Sequence, residues 1–263
     1  MTAVRCGRLY LVPNALDFGL PATHRQAELD DVLPAGVIRI AARLDHWVCE
    51  NAKTTRALLK RVDAIVPLAA PLQSLSITEL PRPGKGGSAR GAPTRELWDQ
   101  LLAPALAGND IGLLSEAGLP AVADPGSGLV QAAHDRGIEV VALAGASSLL
   151  LALAASGLQG QRFAFVGYLP VDAAARTQRL RELEARSRRD GETQLMIETP
   201  YRNQTLLAAL LAALQPATRL SAACGLTLPA GVNRSATVAE WRKRGWTLPT
   251  DVPTVFSMLA TEA

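Results

Sequence analysis

Residues Asp110 to Gly128 read DIGLLSEAGLPAVADPGSG. The opening run, Asp110 to Leu114, is short and apolar and predicts a buried strand. From Gly126 to Arg136 the chain turns amphipathic at helical spacing, and Gly137 is a natural stop. Between them lies a loop dense in Gly, Pro and small residues. A strand that enters a helix through such a loop is the repeating unit of an α/β sheet, and the carboxyl end of its strand is where ligands bind. Gly118 and Gly126 let the backbone approach a ligand closely. The helix start after Pro125-Gly126 presents unpaired N–H groups that suit a carboxylate, while Glu116 and Asp124 add negative charge. A ligand with carboxylate, ammonium and sulfonium groups suits that mixture. The structural alternative is a turn in which Asp124 only caps the helix.

The same strand-helix grammar extends in both directions. Towards the N-terminus, Leu9 to Val12 predicts a buried first strand ending at Pro13, and Asn14 to Pro34 is loop-rich. Val37 to Ala42 and His46 to Cys49 read as short strands. Ala52 to Val62 reads as a helix whose basic end suits its dipole, and Ser74 to Leu80 as a half-buried strand. Pro81 to Pro93, PRPGKGGSARGAP, is a loop by composition. It lacks the GK[ST] ending of a phosphate-binding loop, so it is either a plain flexible segment or a lid. Thr94 caps a helix reaching Leu106.

Towards the C-terminus, Val140 to Leu158 runs 19 residues without a charge, long enough for a membrane span. It splits at Gly145-Ala146-Ser147-Ser148 into a β-branched half and a helix-forming half. A buried strand, Glu139 to Leu143, and a helix, Ser147 to Ser156, therefore explain it without a membrane. In that turn Gly145 gives backbone access, and Ser147 and Ser148 offer hydroxyls or a helix cap.

The second half has a different rhythm. Strands are expected at Phe163 to Val166, Gln194 to Ile197, Arg219 to Leu226, Arg234 to Val238 and Thr254 to Leu259. Helices are expected at Asp172 to Arg189 and Gln204 to Leu214. The close strand spacing predicts some antiparallel pairing. The fold class is thus α/β in two domains, 1–145 with a mostly parallel sheet and 146–263 with a mixed one. Two more segments hold chemistry. Glu198-Thr199-Pro200-Tyr201-Arg202-Asn203 again joins a strand to a helix, and Glu198 either accepts a proton or pairs with Arg202 to shape the turn. The helix after FVGYLP holds Arg176, Arg179, Arg181, Arg186, Arg188 and Arg189. Its face is either solvated mixed charge or a contact for an RNA backbone.

Composition narrows the classes. Hydrophobic residues are 48% and charged residues 19%, which supports a packed core and excludes a disordered chain. Aromatics at 4% are too few for stacking platforms on single-stranded nucleic acid. A net charge of +3 permits a polyanionic partner without demanding one. Cys6, Cys49 and Cys224 have no CxxC spacing, which fits a reduced, cytoplasmic protein. His24, His46 and His134 have no ligand spacing, so no metal is expected. The start MTAVRCGRLYLVP lacks a signal-peptide core.

Four of these segments stand in the order of a known family. SEAGLPAVADPGSGLV resembles S-D-A-G-x-P-x-x-x-D-P-G-x-x-L-V of the small-subunit ribosomal RNA 2′-O-methyltransferase I family. ALAGASSLLLALAASGL resembles its P-L-P-G-x-S-A…A-L-x-x-S-G-L, FAFVGYLP its F-x-F-x-G-F-L-P, and IETPYR its Y-E-S-P-H-R. That family sits among the class III, tetrapyrrole methylase-like methyltransferases. The resemblance implies two α/β domains with S-adenosylmethionine in a cleft between them, usually as a homodimer. It implies donor contacts at Pro13, Ser115, Ala117, Gly118, Pro120, Asp124, Gly145, Ser147, Ser148, Thr199, Pro200, Tyr201, Leu226 and Thr227. Arg56 and Arg202 fall where substrate would be held. The chain departs from the family in having Val12-Pro13-Asn14-Ala15-Leu16 for V-x-T-P-I-G-N, and Glu50 to Arg56, ENAKTTR, where E-D-T-R is usual. Glu116 replaces an Asp, and Tyr201 a His.

Methyl transfer is an in-line displacement, so positioning and water exclusion are the main tasks. If a ribose hydroxyl is the acceptor, it must lose a proton. Glu116, Asp124, Glu198 and Glu50 are the candidate bases, with Glu116 and Glu198 the residues placed as catalytic. The expected activity is methylation of ribosomal RNA, with RNA or a ribosomal subunit as partner. The alternatives are a small acceptor such as a tetrapyrrole, and a donor-binding module without catalysis.

Overall fold

The computed structural model describes residues 6–17, 27–81 and 94–260. The glycine-rich stretch read as flexible segment or lid lies outside them except for Pro81. The chain divides into two compact units, residues 6–17 with 27–146, and residues 147–260.

The first unit runs β1 (Arg8–Val12), α1 (Leu29–Val32), α2 (Ala35–Arg43), β2 (His46–Cys49), α3 (Ala52–Asp63), β3 (Ser76–Glu79), α4 (Arg95–Leu106), β4 (Ile111–Leu114), α5 (Ser127–Asp135) and β5 (Glu139–Ala142). Its strands form one sheet in the order β3-β2-β4-β1-β5, and every pairing is parallel. Alternation along the strands sends side chains to opposite layers. Tyr10, Val12, Trp47 and Cys49 pack with Val37, Ile38, Leu58 and Leu59 of α2 and α3. Leu9, Val48, Ile111 and Leu113 pack with Leu101, Leu102, Leu129 and Ala133 of α4 and α5. Because the strands are parallel, all their carboxyl ends, and the loops that follow, emerge at one edge of the sheet.

The second unit runs α6 (Ser148–Ser156), β6 (Phe163–Phe165), α7 (Ala173–Asp190), β7 (Thr193–Glu198), α8 (Asn203–Ala213), β8 (Arg219–Cys224), β9 (Val232–Thr237), α9 (Val238–Arg244) and β10 (Thr254–Leu259). Its sheet is mixed, in the order β6-β7-β10-β8-β9. β6 and β7 are parallel, while β10 runs antiparallel to both β7 and β8, and β9 to β8. One face carries Met196, Phe256, Ala222 and Leu220 against Leu183, Leu206 and Leu210 of α7 and α8 and Trp241 of α9. The other carries Leu195, Ala223 and Val255 against Leu149, Ala152 and Leu153 of α6.

Two expectations are corrected. Val37 to Ala42, read as a strand, lies in α2. Its buried residues are Val37, Ile38, Ala41 and Ala42, the spacing of one helix face. The β-branched pair that suggested a strand is packed against α3 instead. The strand expected at Arg234 to Val238 ends at Thr237, and α9 follows. The charge-free run Val140 to Leu158 divides into β5, a turn and α6, and among the described residues no helix is long and apolar enough to cross a membrane. Cys6, Cys49 and Cys224 are all free thiols.

Candidate functional site

In the first unit the strand ends gather the predicted loops. β1 leads to Pro13 and Asn14, β4 to the Ser115–Pro120 loop, and β5 to Gly145. Asn14 joins the first two. Its N–H donates to Gly118 O at 2.8 Å and its carbonyl accepts from Gly118 N at 3.2 Å, a one-residue antiparallel bridge. Its carboxamide Nδ2 donates to the carbonyls of Ser115 at 3.2 Å and Glu116 at 2.8 Å, and its Oδ1 accepts from Ala15 N. Asn14 is only 5% exposed, and this set uses both ends of its carboxamide. The third loop is held by close approach: a Cβ on Gly145 would sit 2.3 Å from Pro13 Cγ. Pro13, Ser115, Ala117, Gly118 and Gly145 are thus brought together, with Pro120 further along the same loop.

Beside them stands a group of carboxylates. β2 and β4 pair in a register that sets Cys49 beside Leu114, so the next residues, Glu50 and Ser115, emerge as neighbours. Glu50 Oε2 accepts from the Glu116 N–H at 3.2 Å. Asp124 lies in the same neighbourhood. Burial, then the charge of Glu50, then that of Glu116 push its carboxyl up to about 7, against relief from the Ser115 hydroxyl. That hydroxyl belongs to a residue 2% exposed, and it meets no partner with hydrogen-bond alignment. α5 has Gly126 at its N-cap, a residue with no side chain to cap the helix. Gly126 has φ +131°, a conformation that side-chain-bearing residues rarely adopt.

Backbone strain falls on the same loops. Among the described residues other than glycine, only Ala121, Ala123 and Thr227 have positive φ, at 64°, 64° and 68°. The first two bend the chain into Asp124. Such conformations persist where the surroundings over-determine them, and they collect at binding loops.

In the second unit, the ends of β7 and β8 and the start of β10 line up, with Glu198 and Cys224 both opposite Thr254. Glu198 is 3% exposed. Its Oε1 accepts from Thr199 N at 2.8 Å and from Thr199 Oγ1 at 3.2 Å, and its Oε2 lies 3.1 Å from the Arg202 guanidinium. The carboxylate thus shapes its own turn, the second of the readings open to it. Pro200, Tyr201 and Arg202 form a 3-10 turn, with Tyr201 76% exposed. Leu226 packs on the α6 cluster, and the buried Thr227 Oγ1 has no hydrogen-bond partner. Ser147 starts α6 without a side-chain cap, so the capping role read for its hydroxyl is corrected.

Arg56 lies exposed on α3, its guanidinium reaching Ala52 O at 3.3 Å. The arginine helix is largely self-paired. Arg176 is buried on the carbonyls of Pro170 and Val171, and Arg179, Arg186 and Arg189 pair with Glu182, Glu192 and Asp190. Arg181 and Arg188 are left on the exposed side.

Sequence reasoning had Glu50 among the candidate bases but missed the Asn14 bridge. Its signal was there: an Asn directly after a strand-ending Pro, where a carboxamide readily bonds neighbouring backbone.

An all-parallel sheet with its strand-to-helix loops gathered at the carboxyl edge, followed by a mixed sheet, defines a class, and the comparisons agree with it. The family model described as "Tetrapyrrole (Corrin/Porphyrin) Methylases" matches residues 32–240, and the chain belongs to that family. Its relatives include the "Ribosomal RNA small subunit methyltransferase I" of Pseudomonas aeruginosa, 39% identical over 108 residues, which are 41% of this chain and 37% of that protein. The protein of that name from Neisseria meningitidis serogroup B is 30% identical over 217 residues, 82% of this chain and 72% of its own length. The match to the first of these thus spans well under two thirds of the relative's length. Among solved structures, the methyltransferase CobJ is similar at a TM-score of 0.54 and 16% identity, covering 97% of this chain and 94% of that one. Uroporphyrin-III C-methyl transferase from Thermus thermophilus, complexed with S-adenosyl homocysteine, is similar at 0.50 and 19%, covering 95% and 97%. At these identities the likeness is one of fold.

Proposed function

We propose that the protein is an S-adenosylmethionine-dependent methyltransferase acting on RNA of the small ribosomal subunit, at a ribose 2′-hydroxyl. The observation that carries this reading is the match to a ribosomal RNA small subunit methyltransferase I along 82% of the chain. The first unit's chemistry suits such a donor. Glu50, Glu116 and Asp124 suit its cationic groups, and the buried Ser115 hydroxyl has no partner with hydrogen-bond alignment. When bound, S-adenosylmethionine supplies an electrophilic methyl carbon.

The donor contacts proposed in the first unit are Pro13, Ser115, Ala117, Gly118, Pro120, Asp124 and Gly145. In the second they are Ser147, Ser148, Thr199, Pro200, Tyr201, Leu226 and Thr227. Thr227 has the same kind of unsatisfied buried hydroxyl as Ser115. Glu116 borders the carboxylate group on the acceptor's behalf. Glu198 holds Arg202, and Arg56 and Arg202 offer their guanidinium groups to phosphate. A homodimer and a cytoplasmic location belong to the same reading and rest on the family resemblance.

The test is transfer of labelled methyl from S-adenosylmethionine to small ribosomal subunits, with a uroporphyrinogen-type tetrapyrrole as competing acceptor. Label recovered as a 2′-O-methylated nucleoside supports the reading. Label only in the tetrapyrrole overturns the RNA acceptor, and saturable donor binding without any transfer points to a module without catalysis.

A further inference from the structure

We infer that Arg234 and Arg244, gathered around Trp246 in the second unit with Lys243 beside them, form a docking surface for the phosphate backbone of RNA. This rests on the RNA reading above and adds to it the residues that grip the acceptor's strand.

Residues 219–246 hold five cations, Arg219, Arg234, Arg242, Lys243 and Arg244, and one carboxylate, Glu240. The fold concentrates them. β9, which carries Arg234, stands at the edge of its sheet. α9 follows directly and ends in Arg242, Lys243 and Arg244. Trp246 comes next, half-buried, and meets the buried Trp241 edge-on at 4.9 Å. The Arg234 guanidinium carbon lies 5.3 Å from the Trp246 ring centroid, and that of Arg244 lies 4.8 Å from it. The two guanidinium groups are thus held within about 10 Å of each other by one ring. An arginine over an indole keeps its N–H donors available, because they point outward in the guanidinium plane.

Those donors are mostly unspent. Arg234 gives one, from Nη1 to Thr247 O at 3.1 Å, out of the five a guanidinium carries. Arg244 faces Glu240 only at 4.0 Å, and Glu240 Oε2 already accepts from the Thr237 N–H and hydroxyl. Lys243 is exposed, and among the described residues no ion pair holds it. Arg242 is different: it donates to the carbonyls of Leu211 and Leu214 at the end of α8, a structural task. On α7, by contrast, Arg179, Arg186 and Arg189 are matched by carboxylates. Positive charge therefore survives unneutralised at the end of α9.

Shielding Trp246 from water needs only the arginine stems. Two planar forks with donors to spare, and a lysine beside them, go beyond that need. Each fork matches a phosphate in two parallel hydrogen bonds, and an RNA strand repeats its phosphates closely enough for both to be engaged. Such contacts position a strand without reading its bases. That accords with a chain poor in aromatic residues.

The test measures binding of RNA extracted from small ribosomal subunits to the full chain across a salt series. Donor binding by calorimetry, and methyl transfer at varied subunit concentration, are followed alongside. R234Q/R244Q is expected to bind RNA about 10- to 30-fold more weakly at physiological salt, with a salt slope shallower by about 2. Its donor binding is expected to match wild type, and its transfer to suffer in KM for the subunit rather than in kcat. R234K/R244K keeps the charges without the planar forks and is expected to recover the slope. If R234Q/R244Q only loses stability and keeps the wild-type slope, the arginines merely shield Trp246 and the inference is overturned. It is overturned equally if poly-glutamate binds as tightly as RNA and the variant loses both alike, which would assign the surface to an acidic protein. Should R234Q/R244Q not fold, K243Q decides: a slope shallower by about 1 supports the surface, and an unchanged slope overturns it. RNA binding that meets these expectations without any methyl transfer sinks the methyltransferase reading and leaves the surface standing. Methyl transfer to RNA with an unaltered slope in the variants does the reverse.

Discussion

Asp124 enters the folded state with its carboxyl pushed from 3.8 to about 7, and this has a sign for stability. The folded chain holds a proton that the unfolded chain releases, so this group's contribution is fully present below 3.8 and is lost as pH rises through about 7. Thermal unfolding across that window should therefore show D124N gaining on wild type as pH rises. A constant difference between the two would show that the carboxyl is not perturbed. Gly145 makes a second residue-scale case. Any side chain there meets the Pro13 ring, so G145A should cost about 1–3 kcal/mol, the usual price of overpacking. It should also weaken donor binding by displacing the β1 loop, and denaturant titration with wild-type values for G145A would refute that packing.

At the scale of elements, Thr237 and Glu240 form a reciprocal capping box at the start of α9. T237A should lose about 1 kcal/mol in denaturant unfolding. Trp241 on the same helix is fully buried and donates its indole N–H to Leu220 O at 2.8 Å. W241A should cost about 3–5 kcal/mol, mostly from the cavity. The T-x-x-E spacing marks this helix start, but the strand that precedes it runs up to the capping Thr237 itself, so the alternation extends across the boundary. α2 was misread for a related reason. Its Val-Ile pair favours strands locally, and burial against α3 overrode that preference. Elements with clear punctuation were readable: α4 begins at its Thr94 cap, and α6 and α7 end at Gly157 and Gly191 in left-handed conformations. The loops SEAGLPAVADPGSG, AGASS and ETPYR were legible as strand-to-helix loops, because each follows a strand end. The carboxylate group was not legible as a group. Glu50 and Glu116 lie 66 positions apart, and only the placing of β2 beside β4 makes them neighbours. Sequence order gives no hint of that pairing, since β3 and α4 intervene.

For the whole molecule, charge is unevenly spent. The net +3 hides a carboxylate-lined edge in the first unit and an arginine helix in the second whose cations are mostly paired. On the proposed reading, the carboxylate edge favours a cationic donor and repels phosphate, and RNA affinity is expected to come from exposed arginines such as Arg56, Arg181 and Arg188. The donor is thus the partner the described chemistry specifies most closely. Titration calorimetry of S-adenosylmethionine into the full chain at neutral pH tests that claim most directly. The account predicts saturable binding of one donor per chain, weakened when Ser115 and Thr227 are both replaced by alanine. Absence of any saturable heat, confirmed by equilibrium dialysis, would contradict it.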